Sequence, residues 1–90
     1  ISFKCEYTEA LSTGHRVKGF VNIAKVARRK LRQLEIANCL DDLRVPPGNR
    51  LEALKGNRSG QYSIRINDQW RVCFQWTNAG AENVEIVDYH

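Results

Sequence analysis

Residues 62–76 decide the fold, and they read YSIRINDQWRVCFQW. Apolar side chains take every second position on both sides of the pair Asn67-Asp68, as Ile64 does before it and Val72 after it. Alternation with a period of two is typical of strands that bury one face, and asparagine and aspartate favour turns. The stretch therefore predicts an antiparallel hairpin with one apolar face and one polar face.

The length of the hairpin loop determines which residues lie opposite each other. A two-residue loop would pair Ile64 with Arg71, whereas a three-residue loop over residues 67–69 pairs Ile64 with Val72 and Arg65 with Arg71. Since a slip of one residue moves every side chain to the other face, we predict the three-residue loop. Like charges placed opposite each other cost stability unless an anion joins them, so the arginine pair is a first indication of a phosphate site.

A long amphipathic helix is predicted in the N-terminal half. Asn22 is a suitable N-cap, and apolar residues follow at steps of three and four from Ile23 to Leu40. The basic residues on the other side are Lys25, Arg28, Arg29 and Arg32. Four positive charges without an acid among them suit either RNA contact or an ordinary solvated face.

The remaining segments predict shorter elements. Residues 1–7 are expected to form a strand, and residues 8–11 a short helix with Thr8 as its cap. Residues 46–49, Pro-Pro-Gly-Asn, form a rigid turn that closes the helical half. Residues 51–55 are expected to form a further strand.

The last strand follows a turn at residues 78–80. Its residues Val84 and Ile86 continue the apolar face of the sheet. By alternation, Tyr89 falls on the opposite face, the one that carries Arg71.

Together these elements predict one α+β domain over residues 1–90. We expect an antiparallel sheet of about four to five strands, with two helices from the N-terminal half packed on one face and a basic face open to solvent. The formal charge of +4, from 14 Lys and Arg against 10 Asp and Glu, favours polyanionic partners, chiefly nucleic acid. No signal-peptide pattern and no apolar run of roughly 20 residues is visible, so we expect a cytoplasmic protein without membrane contact.

The three cysteines, Cys5, Cys39 and Cys73, have wide and irregular spacing. This spacing matches neither a disulfide framework nor a zinc site. We therefore predict buried, reduced thiols, and no metal or other cofactor.

Three short motifs occur in order along the chain. They are residues 50–64 (RLEALKGNRSGQYSI), residues 67–74 (NDQWRVCF) and residues 88–90 (DYH), and residues 28–31 (RRKL) accompany them. Together they resemble the HigB toxins, also called plasmid-maintenance killer proteins, of the RelE/ParE toxin superfamily. The likeness extends over essentially the whole chain.

The resemblance implies a RelE-like fold and the toxin of a bacterial type II toxin–antitoxin system. Toxins of this kind enter the ribosomal A site and cut messenger RNA without a metal. The 2′-hydroxyl of the RNA attacks the adjacent phosphate and leaves a cyclic phosphate. The implied partners are therefore the ribosome, mRNA and a HigA-like antitoxin with a helix-turn-helix domain.

This chemistry needs a base, an acid and positive charge at the phosphate. By the resemblance, Arg71 would bind phosphate oxygens through its guanidinium, and Lys55 would contact the phosphate as well. His90 would act in acid–base catalysis, because imidazole titrates near neutrality. Tyr89 would stack on a base or donate its hydroxyl, and Asp88 would orient His90.

Glu52 is the main departure from the family pattern, because many members have a catalytic histidine at this position. A carboxylate can serve as the base instead, or it can be a surface acid, and both interpretations stay open. The candidates for RNA or ribosome binding are Lys25, Arg28, Arg29, Arg32, Arg58 and Arg65.

Two other functions fit the same fold. A gyrase poison of the ParE kind would lack the nuclease residues, so Arg71 and residues 88–90 argue against it. A non-catalytic ribosome- or RNA-binding module is the second alternative, because the change at Glu52 could have impaired the chemistry. Fold alone does not separate these functions.

Overall fold

The computed structural model describes residues 1–88, which form two α-helices followed by one antiparallel sheet. The helices are α1 (Glu6–Ser12) and α2 (Ala24–Ile36), and the strands are β1 (Glu52–Ala53), β2 (Tyr62–Arg65), β3 (Trp70–Thr77) and β4 (Gly80–Asp88). The strand order is β1-β2-β3-β4, so each strand pairs with its neighbour in sequence. The connecting 3₁₀ turns are Lys18–Phe20, Leu40–Arg44, Pro47–Asn49 and Gly56–Arg58. The predicted α+β class is confirmed.

The hairpin of β2 and β3 has the register predicted from the sequence. The opposed pairs are Tyr62–Phe74, Ile64–Val72 and Arg65–Arg71. The backbone N–H of Ile66 donates to the carbonyl of Trp70 at 2.9 Å and so closes the loop of residues 67–69. Arg65 and Arg71 therefore lie opposite each other, as the three-residue loop requires.

The core lies between the two helices and one face of the sheet. Helix α2 contributes Ala27 and Leu34 to a buried cluster that also contains Val72 and Phe74 of β3. Each fully buried aliphatic or aromatic side chain of this kind stabilises the fold by about 1.5–3 kcal/mol. This burial fixes α2 on one face of the sheet and leaves Arg71 on the other.

The strand predicted for residues 1–7 is wrong. Phe3 makes only an isolated parallel bridge to Val84, and α1 already begins at Glu6. Short apolar runs do not distinguish a strand from a helix by periodicity. One edge of β4 is paired with β3, and this segment makes three backbone hydrogen bonds to the other edge. The N–H groups of Ser2 and Lys4 donate to the carbonyls of Ala81 and Val84, and the N–H of Val84 donates to the carbonyl of Ser2.

The two predicted helix caps are also wrong. Thr8 is fully buried within α1, where its hydroxyl oxygen accepts a hydrogen bond from the backbone N–H of Ile86 at 3.0 Å. Asn22 lies one residue too early, because Ile23 is the N-cap of α2 and no side chain caps this end. Thr8 thus joins α1 to β4 instead of starting a helix.

The strand predicted for residues 51–55 is shorter than expected. Only Glu52 and Ala53 are assigned to β1, and the backbone N–H of Leu54 continues the pairing by donating to the carbonyl of Gln61 at 2.9 Å.

The three cysteines have free thiols but differ in burial. Cys73 is buried, whereas Cys5 is half-buried and Cys39 is exposed. The prediction of buried thiols is therefore correct for Cys73 alone. In residues 1–88, no helix is long and apolar enough to span a bilayer.

Candidate functional site on the open sheet face

Arg71 lies on the sheet face opposite the helices, and its side chain is only 12% exposed. Its Nε donates to the hydroxyl oxygen of Ser63 at 2.7 Å, and its Nη2 donates to the carbonyl oxygen of Arg50 at 2.7 Å. Within residues 1–88, its Nη1 makes no hydrogen bond. Nη2 also donates to the backbone carbonyl oxygen of Ser63 at 3.4 Å. The guanidinium is thus oriented by three neutral oxygens and keeps Nη1 available for a ligand.

Glu52 lies beside this guanidinium. It is the register partner of Ser63, and its Oε1 is 3.7 Å from Nη2 of Arg71. The two side chains form an ion pair that is longer than a hydrogen bond, and the Glu52 side chain is 52% exposed. A carboxylate in this position is open to solvent and close to any anion that Arg71 binds.

A polar row crosses the four strands next to Arg71. Its successive register partners are Glu52, Ser63, Cys73 and Glu85. Ser63 and Cys73 are fully buried, so the face is more closed than the open basic surface predicted from the sequence. Burial is also the largest cause of the raised pKa of the Cys73 thiol.

Arg58 is part of this face through an ion pair. Its Nη1 donates to Oε1 of Glu85 at 2.8 Å and to the side-chain oxygen of Gln61 at 3.1 Å. These contacts connect the Gly56–Arg58 turn to β4. Lys55 precedes the turn, is exposed, and accepts a hydrogen bond on its carbonyl from the backbone N–H of Arg58.

The terminal candidates fall at the limit of the described residues. Asp88 pairs with Trp70 in the β3–β4 register and therefore lies on the helix side of the sheet, where its Oδ2 accepts from Nε2 of Gln69 at 3.1 Å. Tyr89 and His90 lie outside the described residues. The structure thus brings Arg71 and Glu52 together and places Asp88 on the other face.

The basic side of α2 lies on the helix side of the sheet, away from Arg71. Arg28 donates to the carbonyls of Leu11 and His15, and Arg32 pairs with Glu35 at 2.8 Å. Lys25 and Arg29 are exposed. On the other face, Arg65 forms an ion pair with Asp68. Half of the predicted RNA-binding residues (Arg32, Arg58 and Arg65) therefore have acidic partners within the chain.

The sequence analysis missed two buried polar residues near the site. Lys30 is 8% exposed and donates from Nζ to the side-chain oxygen of Asn49 at 2.5 Å. Its pKa is lowered, mainly by burial and then by the charges of Arg29 and Arg65. A signal existed, because position 30 is three residues after Ala27 and thus on the apolar stripe of α2.

Among residues 1–88, no group of three or more histidine, cysteine, aspartate or glutamate side chains is arranged to hold a metal ion.

The fold and this cationic sheet-face site define a class of small α+β proteins, and comparison with known proteins identifies the family. Residues 5–90 match the model for the RelE-like toxin of the type II toxin–antitoxin system HigB. The chain therefore belongs to the HigB-like family of RelE-like toxins, as the sequence motifs predicted.

Three relatives show the extent of the similarity. The chain is 53% identical over 55 residues to Toxin HigB-1 of Vibrio cholerae, covering 61% of this chain and 58% of the relative. It is 42% identical over 41 residues to Endoribonuclease HigB of Proteus vulgaris, covering 46% and 45%. It is 38% identical over 63 residues to an uncharacterized protein of Haemophilus influenzae, covering 70% and 62%. The chain thus spans 45% to 62% of the length of these relatives.

Proposed function

We propose that this chain is the toxin of a toxin–antitoxin pair and a ribosome-dependent endoribonuclease that cleaves mRNA in the A site. The observation that carries the proposal is the fixed guanidinium of Arg71, whose Nη1 makes no hydrogen bond within residues 1–88 and is available for a phosphate oxygen. Family membership and the name of the Vibrio relative support the role as a toxin, and the name of the Proteus relative supports endoribonuclease activity.

The proposed reaction is a transesterification within the RNA. The 2′-oxygen forms a bond to the adjacent phosphorus while the bond from phosphorus to the 5′-oxygen breaks. A base removes the proton of the 2′-hydroxyl and an acid protonates the leaving 5′-oxygen, so the products are a cyclic phosphate and a 5′-hydroxyl. Arg71 stabilises the negative charge that develops on the phosphoryl oxygens.

Glu52 is the proposed base. Its carboxylate lies 3.7 Å from Nη2 of Arg71, so a phosphate bound by Arg71 would place the neighbouring 2′-hydroxyl near Glu52. The family pattern adds Lys55 as a second cation at the phosphate and His90 as the acid. Tyr89 would stack on a base, and Asp88 would orient His90.

The proposed partners are mRNA, the ribosome and a HigA-like antitoxin, met in the cytoplasm. Lys25 and Arg29 are the strongest candidates for contact with ribosomal RNA, because both are exposed and form no ion pair with a residue in 1–88. Arg28, Arg32, Arg58 and Arg65 already make contacts within the chain, which makes them weaker candidates.

The test is to map new 5′ ends on a defined mRNA, with and without translating ribosomes. Arg71→Ala is compared with Arg16→Ala, which removes an exposed arginine from a loop. Cuts within codons that need both ribosomes and Arg71 are the expected result. Ribosome binding without cuts in the mRNA would identify a binding module. Breaks in plasmid DNA incubated with gyrase and this protein, with the mRNA intact, would identify a gyrase poison. Either outcome contradicts the proposal.

A further inference from the structure

Asn49 is a fully buried asparagine whose side-chain amide is completely used. Its Nδ2 donates to the side-chain oxygen of Gln33 at 2.9 Å and to the carbonyl of Leu43 at 3.0 Å. Its Oδ1 accepts from Nζ of Lys30. Since Gln33 and Lys30 both belong to α2, this one side chain connects the Pro47–Asn49 turn to the helix.

Lys30 makes this connection at an energetic cost. The residue is only 8% exposed, and no carboxylate within residues 1–88 forms an ion pair with its ammonium. Two further cations, Arg29 and Arg65, are close enough to lower its pKa. A buried charge without a counter-charge is unfavourable, and an apolar side chain of similar length would fill the same space at lower cost. Packing alone therefore does not explain a lysine here.

The turn held by Asn49 leads directly to the site. The next residue, Arg50, has a φ of 47°, in the left-handed region that residues other than glycine rarely adopt. In this conformation its carbonyl oxygen accepts the 2.7 Å hydrogen bond from Nη2 of Arg71. The carbonyl of Arg50, held by this strained backbone conformation, is thus one of the three hydrogen-bond acceptors that orient the Arg71 guanidinium.

From these contacts we infer that Asn49 and Lys30 are positioning residues for Arg71. They hold the Pro47–Asn49 turn against α2. This turn places the carbonyl oxygen of the next residue, Arg50, where it accepts the hydrogen bond from the Arg71 guanidinium. The effect on cleavage rests on the proposed function, whereas the effect on the Arg71 side chain does not depend on it.

The experiment compares Asn49→Ala with Ile23→Val, which removes a methyl group from the core at the start of α2. The readouts are kcat and KM for ribosome-dependent cleavage, the melting temperature, and the Nε–H resonance of Arg71 in a ¹⁵N-labelled protein. This resonance is assigned by its loss in Arg71→Lys. All measurements are made at a temperature where the variants are folded.

For Asn49→Ala we expect a shifted or broadened Arg71 resonance and a kcat that falls about 10- to 100-fold, with KM within about twofold of the wild type. Ile23→Val should leave the resonance and kcat unchanged even if it lowers the melting temperature. An unaltered resonance and kcat in folded Asn49→Ala, or an equal loss in Ile23→Val, would overturn the inference.

Two further variants keep the test decisive if Asn49→Ala does not fold. Gln33→Ala removes one of the contacts of Asn49, and Lys30→Met removes another while keeping the length of the side chain. Each should displace the Arg71 resonance, and if neither does, the inference fails. If Arg71→Ala cleaves like the wild type, the proposed function fails, while the resonance still decides whether Asn49 positions Arg71.

Discussion

Arg71 donates from Nε to the hydroxyl oxygen of Ser63, 2.7 Å away, and this bond joins β3 to β2 on the open sheet face. The hydroxyl of Ser63 is fully buried and accepts from a cationic donor, which is the stronger class of hydrogen bond. It is one of three neutral oxygens within residues 1–88 that orient the guanidinium, together with the backbone carbonyls of Arg50 and Ser63.

We expect Ser63→Ala to lower both stability and cleavage. Loss of a hydrogen bond to a charged group should reduce the free energy of unfolding by about 1–2 kcal/mol, measured by urea denaturation. Cleavage should fall about tenfold, because the guanidinium loses the bond to its Nε and keeps only those to the two backbone carbonyls. Ser59→Ala, at an exposed position, is the matched control. Full cleavage by Ser63→Ala would show that the backbone carbonyls of Arg50 and Ser63 suffice to orient Arg71.

Glu52→Gln separates the two interpretations of the glutamate. If Glu52 is the base, the variant should lose at least about 100-fold in kcat and its pH–rate profile should lose the limb that reports the base. If Glu52 is only a neighbour of Arg71, cleavage should change little and the profile should keep its shape. Glu6→Gln, on the exposed side of α1, is the control for loss of one negative charge.

The hairpin could be predicted from the sequence because its determinants are local. The period of two and the Asn67-Asp68 turn allow one register that puts Ile64 and Val72 on the same face. The first seven residues have no such constraint. A short aromatic run suits either a strand or a helix. The contact that favours the helix is the hydrogen bond between Thr8 and Ile86 of β4, which joins residues 78 positions apart.

The site was predictable only in part. The opposed arginines were correctly predicted, but the sequence did not show that the chain supplies an acid to each, Asp68 to Arg65 and Glu52 to Arg71. Lys30 was missed because a lysine in a basic run suggests a solvated face, although its spacing placed it on the buried stripe.

Asp42→Asn tests how the end of α2 is held. The Asp42 Oδ2 accepts from the backbone N–H groups of Asn38 and Cys39, at 2.9 and 3.4 Å, and its Oδ1 accepts from the Cys39 thiol at 3.5 Å. The bond from Asn38 is the largest cause of the lowering of the Asp42 pKa from 3.8, followed by the thiol and then the backbone N–H of Cys39. A lowered carboxyl pKa means that this contribution is present above pH 3.8 and is lost as the pH falls through the lower, folded value.

The variant should therefore have a lower melting temperature than the wild type at pH 7. The difference should shrink once the pH falls below 3.8. Asp41→Asn, whose carboxylate pairs with the exposed Arg44, serves as the control. The melting temperatures of Asp42→Asn and the wild type could instead differ by the same amount at pH 7 and at pH 3. That result would show that the charge of Asp42 does not stabilise the end of α2.

Lys30→Met tests whether the buried lysine carries its charge in the folded protein. Because the pKa of Lys30 is lowered by folding, the unfolded chain binds more protons than the folded chain between the folded pKa and 10.5. The free energy of unfolding of the wild type should therefore rise with pH across that window, relative to the variant, which has no side chain to titrate at position 30.

Urea denaturation of both proteins from pH 7 to 10.5 measures this difference in the free energy of unfolding. The contributions of the other titrating groups are common to both proteins and cancel in the difference. Lys25→Met is the control on the exposed side of α2. A difference between wild type and Lys30→Met that stays constant or decreases with pH would show that burial of Lys30 does not disfavour its charged form.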